Sequence, residues 1–80
     1  MTDAPPHSLL LTRHDSGCNM ARYYALSVEA DLFGGSTLVR RWGRIGSAGQ
    51  ERRQWFALRS AAEAEGRIWA ERKIRRGYMA

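Results

Sequence analysis

Eighty residues, 44% of them hydrophobic, allow one domain with a small core and argue against wholesale disorder. A net charge of +5 with a pI near 10.4 favours an acidic partner. One cysteine excludes an intrachain disulfide, and with two histidines it leaves too few ligands for a dedicated zinc site. No apolar run is long enough to span a membrane and no charged-then-apolar leader is present. No membrane, metal or cofactor is therefore expected, and the expected setting is the cytoplasm, at the nucleoid if the acidic partner is DNA.

Met1 to Pro6 reads as a flexible tail, because Pro5-Pro6 blocks regular structure. Residues 7–80 read as one domain. His7 to His14 is predicted as a first strand, and Asp15-Ser16-Gly17 as a turn. Arg22 to Ala30 is the clearest strand: Tyr24, Leu26, Val28 and Ala30 alternate with Tyr23, Ala25, Ser27 and Glu29. One of the two tyrosines is expected in the core. Asp31 to Ser36, with Gly34-Gly35, reads as a hairpin connection.

Thr37 to Ile45 is predicted as a third strand, on which Arg40, Trp42 and Arg44 share one face. Gly43 leaves room beside the indole for a backbone or a ligand. An aromatic ring flanked by guanidinium groups suits a phosphate-bearing sugar or base. The same pattern suits a core tryptophan with arginines snorkelling around it. Gly46 to Gly49 should turn the chain, and Gln50 to Leu58 should return as a fourth strand.

Ser60-Ala61-Ala62-Glu63 has the form of a capping box and predicts a helix start. Ala61, Ala64 and Ile68, with Ala62 and Trp69 alongside, should cover the sheet. Arg67 and Lys73 should lie towards the polar flank, and Gly77 is the expected C-terminal cap. The fold class is therefore α+β, a small antiparallel sheet of about four strands packed against one C-terminal helix.

Charge is unevenly placed. Residues 1–39 carry two arginines against four carboxylates, a net −2, whereas residues 40–80 carry eleven cations against four carboxylates, a net +7. Twelve of the thirteen cations are arginines, which bind phosphate bidentately and stack on rings. A genome rich in G and C would give the same bias. His14-Asp15-Ser16 has the residue types of a catalytic triad, but consecutive residues cannot reach one another in that geometry. Gly43-x-x-Gly46-x-x-Gly49 lacks the spacing and the strand-loop-helix setting of a nucleotide loop. Its Gly-x-x-Gly pairs have a weak likeness to single-strand clamps.

Trp42-Gly43-Arg44-Ile45-Gly46-x-x-Gly49-Gln50 resembles the signature of the WGR domain. That module occurs in DNA-dependent poly(ADP-ribose) polymerases and in small bacterial proteins. Asn19 through Leu26 resembles the family's basic-aromatic-aromatic strand, Leu32-Phe33-Gly34-Gly35 its bacterial hairpin, and Lys73 through Tyr78 the end of its helix. The resemblance implies that Trp42 packs on the sugar at a DNA terminus and that Arg44 lies by the terminal phosphate. It also implies that Lys73 touches the backbone and that Arg22 is the basic residue before the aromatic pair. Polymerases often place an asparagine directly before that basic residue. Here the position is Ala21, with Asn19 nearby. In the polymerases the motif arginine also passes contacts to neighbouring domains; for Arg44 the resemblance implies that any such signalling is expected to need a separate protein.

The expected function is that of a non-enzymatic DNA-binding module for double-stranded ends or nicks. Its candidate contacts are Trp42, Gly43, Arg44, Arg40, Arg22, Lys73 and Asn19. A protein-interaction adaptor using the basic face, or RNA or single-strand binding, are the alternatives.

Overall fold

The alternating runs become strands because each buries one face and wets the other. The computed structural model describes residues 8–80. The tail expected over residues 1–6, and His7 as a strand residue, lie outside the described residues. Strands β1 (Ser8–Asp15), β2 (Met20–Ala30), β3 (Ser36–Arg44) and β4 (Gln50–Phe56) precede helix α1 (Arg59–Arg75). They form one antiparallel sheet in the order β1-β2-β3-β4, the pairing that hairpin-length links dictate. The chain is α+β, as its patterning predicts.

Register fixes the two faces of the sheet. Tyr24 stands opposite Leu11 and Trp42, and Leu26 opposite Leu9 and Arg40. These residues and Leu38 face the helix. Leu11, Tyr24 and Leu38 are each 1% exposed, and full burial of a leucine stabilises by roughly 1.5–3 kcal/mol.

The helix differs from its prediction in two ways. It begins at Arg59, after Leu58 in an extended N-cap conformation with no side-chain cap. The Ser60–Glu63 capping box does not form, because a two-residue link from β4 places Ser60 inside the first turn. Glu63 instead pairs with Arg59 at 3.2 Å. The buried stripe is Ala62, Gly66 and Ala70, rotated from the expected one; Ala61 is exposed and Ile68 is 44% exposed. The sheet supplies the bulky residues, so the helix approaches on its smallest ones. A Cβ at Gly66 would meet Leu38 Cδ1 at 3.3 Å.

The helix ends as expected, at Gly77, with φ +99°. Gly77 N–H donates to the Ile74 carbonyl and Tyr78 N–H to the Lys73 carbonyl, the paired bonds of a Schellman cap. This reversal returns Tyr78 to the core, edge-on to Tyr24 at 6.5 Å. Met79 and Thr12 then exchange backbone bonds, both 2.8 Å, which anchors the C-terminal segment to β1.

The outward sheet face is electrically balanced. Arg41 bonds Glu51 at 2.8 Å, and Arg53 bonds Glu51 at 3.3 Å and Glu29 at 2.7 Å. The two guanidinium groups, Arg53 foremost, hold the Glu51 carboxyl below its ordinary value. The excess positive charge lies elsewhere.

Candidate nucleic-acid interface

Trp42 is half-buried on β3. One side of its indole stacks on Tyr24, centroids 6.2 Å apart and planes 30° apart. It therefore combines the two roles its pattern allows, packing on the core while lining a groove open to solvent. That groove, of about 430 Å³, is bounded by Trp42 and Gln50 on one side and Trp69 and Lys73 on the other, with Arg40, Glu51, Arg52 and Tyr24 also lining it.

The space beside Gly43 is filled by the chain itself. A Cβ at Gly43 would lie 2.8 Å from Gly49 Cα. The 45–49 turn folds back against β3, and the Tyr23 hydroxyl donates to the Ala48 carbonyl at 3.0 Å. Ser47 closes the turn through its hydroxyl, which donates to the Arg44 carbonyl at 2.7 Å. The two tyrosines thus divide the labour of β2: Tyr24 builds the core, and Tyr23 ties the turn to the outward face.

Arg40, Trp42 and Arg44 share the helix-side face as expected, but their surroundings differ. Arg40 is only 8% exposed. Its guanidinium lies 3.9 Å from the Trp69 ring centroid and 5.6 Å from that of Trp42. Arg72 also stands over Trp69, at 4.9 Å, and the Trp69 indole N–H donates to Glu65 at 3.1 Å. Burial raises the Tyr24 hydroxyl pKa above its ordinary value, against the adjacent Arg40 charge. That hydroxyl has no partner with good hydrogen-bond geometry among the described residues.

Lys73 lies deeper than a polar-flank residue. Its Nζ is 4.8 Å from the Tyr24 ring centroid and 5.6 Å from that of Tyr78. Desolvation, then the charges of Arg76, Arg40 and Arg22, lowers its pKa below the ordinary lysine value. These four cations therefore converge in space.

Arg44 is exposed and stands opposite Arg22, which stands opposite Arg13. Three like charges in a row across adjacent strands destabilise a sheet. Asn19 is exposed at the same end, with φ +51°, a conformation asparagine tolerates. Sequence reasoning missed Trp69, Arg52 and Arg13 as neighbours of this site; the run Arg72 to Arg76 reads from sequence equally as a solvated helix end or as a phosphate holder. Alternation from Gln50 would have placed Arg52 on the Trp42 face. The spacing Glu65-Trp69-Lys73, one residue per helical turn, would have marked the helix flank.

A four-stranded meander under one helix, with a cationic, aromatic-lined groove at its seam, defines a small α+β module. The WGR domain family profile matches residues 7–80, and the chain belongs to that family. WGR domains are in general non-catalytic nucleic-acid-binding modules. An uncharacterized protein of Sinorhizobium fredii, y4dW, is 42% identical over 73 residues, which is 91% of this chain and 36% of that protein. The chain thus spans about a third of the relative's length. No solved structure matches. Among the described residues, no helix is long and apolar enough to cross a membrane.

Proposed function

We propose that the protein is a non-enzymatic DNA-binding module that engages double-stranded ends or nicks. The observation that carries this reading is the row Arg13, Arg22 and Arg44 beside Lys73 and Arg76. Among the described residues none of these has a carboxylate at ion-pair distance, whereas Arg41 and Arg53 on the outward face do. Mutual repulsion in such a row is relieved by a polyanion.

In this reading Arg44, Arg22 and Lys73 take backbone phosphates, and Asn19 adds a polar contact at the same end. Trp42 packs on the terminal sugar. Gly43 seats the 45–49 turn that orders the end of β3. Arg40 adds positive charge at the base of the groove and fixes Trp42 by contact with its ring. Phosphate contacts give affinity anywhere on a duplex; the indole supplies preference for a terminus, where stacking is incomplete.

Titration of linear duplex DNA at several salt concentrations tests the reading. Neutralising about three to five phosphates gives a log-log slope near −3 to −5. A slope near zero would contradict it and leave the basic face to another class of partner.

A further inference from the structure

The duplex-end reading uses Trp42 and the cations around it, yet the groove continues past Trp42 to the helix. Its far wall is Trp69, and Arg52 and Gln50 stand on its β4 side. Trp69 is half-buried and already carries the guanidinium groups of Arg40 and Arg72 over its ring, which leaves part of the indole to the groove. The volume of about 430 Å³ lies within the roughly 300–1,000 Å³ typical of small-ligand sites. Its lining combines two indoles, the cations Arg52 and Lys73 over the buried Arg40, and Glu51, whose carboxylate is engaged by Arg41 and Arg53. That combination matches a nucleotide: aromatic rings stack on an unpaired base, and cations take its phosphate.

A duplex cannot offer this match, because its bases are covered by their neighbours. A strand running past the duplex end can. Resting on the duplex-end reading, we infer that the groove between Trp42 and Trp69 takes one unpaired nucleotide of a single-strand overhang. Its base lies against the solvent-facing parts of the two indoles, and its phosphate lies on Arg52 and Lys73. Trp69 sets this preference. The preferred substrate is an overhanging end, with a blunt end as the weaker form.

The test is a competition binding measurement with short hairpin duplexes that differ only at the open end. The ends are blunt, one- to three-nucleotide 5′ or 3′ overhangs, and the same overhangs with abasic sugars. The overhang of the matching polarity is expected to bind about tenfold more tightly than the blunt end, the ratio one added base stack supplies. The abasic overhang keeps the phosphate and is expected to lose most of that gain. Trp69→Ala is expected to bring the overhang-to-blunt ratio towards one, and Trp69→Phe to keep part of it; each ratio is read within one protein. Equal binding of blunt and overhanging ends overturns the inference, as does an abasic overhang equal to the base-bearing one. A free single strand that competes as well as the overhanging duplex also overturns it. Equal binding of blunt linear and closed circular duplex would instead overturn the duplex-end reading.

Discussion

The Arg40 guanidinium stands 3.9 Å from the Trp69 ring centroid, so a β3 residue and an α1 residue meet over the core. The contact joins helix to sheet beside Trp42 and holds a cation at the groove base. Cation–π contacts contribute roughly 0.5–2 kcal/mol. Arg40→Lys keeps the charge and loses the planar stack. It should lower the melting temperature by several degrees, as about 1 kcal/mol corresponds to about 4–8 °C in a domain of this size. Thermal unfolding followed by circular dichroism checks this. An unchanged melting temperature would show that the stack does not stabilise the fold.

Arg44 should behave in the opposite way. It is exposed and has no ion pair among the described residues. Arg44→Ala should hold or slightly raise the melting temperature, because it relieves repulsion with Arg22, and should weaken DNA binding by about tenfold or more, since a hydrogen bond to a charged group contributes roughly 1.5–3 kcal/mol. If melting falls and affinity per folded molecule holds, the arginine is structural.

Gly43 and Gly49 support the 45–49 turn for different reasons. Gly49 has φ +70°, and a Cβ there would collide with the Trp42 carbonyl and the Tyr23 hydroxyl. Gly43 faces only the turn, with Gly49 Cα 2.8 Å from its would-be Cβ. Gly49→Ala should therefore destabilise more than Gly43→Ala, because it adds left-handed backbone strain of roughly 1–2 kcal/mol to a collision. Denaturant titrations of the two variants rank them; the reverse order would contradict the turn's packing.

Much of this was legible in the sequence, for physical reasons that also explain what was not. Period-two alternation in β2 revealed its faces, because one face is buried and the other is not. The helix face was misplaced because α1 packs on Ala62, Gly66 and Ala70, and small residues give almost no hydrophobic signal. Ser60 through Glu63 matched a capping box, but only the length of the link from β4 decides which residue occupies the cap. Arg40's burial depends on Trp69, twenty-nine residues away in sequence, and no local pattern encodes that meeting. Gly77 was readable as a cap, and what it returned to the core, Tyr78, was not.

Acid should loosen the outward face. Arg53 and Arg41 lower the Glu51 pKa in the folded state from its ordinary 4.5. Between the folded and unfolded values the unfolded chain binds more protons, so stability rises with pH. The contribution is present above about pH 4.5 and is lost as pH falls through the lowered folded value. Glu51→Gln should lower stability at neutral pH and flatten its decline below pH 4.5. Melting temperatures across that range check it, and parallel curves for variant and wild type would contradict it.

In the proposed function, Trp42 and its cations read an interrupted duplex. Competition between nicked or blunt linear DNA and closed circular DNA of the same sequence, at equal base-pair concentration and fixed salt, separates end recognition from general duplex binding. Wild-type protein should prefer the interrupted forms, and Trp42→Ala should lower their affinity by about tenfold or more while changing circular binding little, because one stack at a terminus contributes roughly 1–3 kcal/mol. Trp42 also packs on Tyr24, so the unfolding of each variant is measured alongside and affinities are expressed per folded molecule. Trp42→Phe should keep part of the preference, since an aromatic face remains. Equal affinity of the wild-type protein for interrupted and closed circular duplex, or equal loss on both in a folded Trp42 variant, would contradict the account.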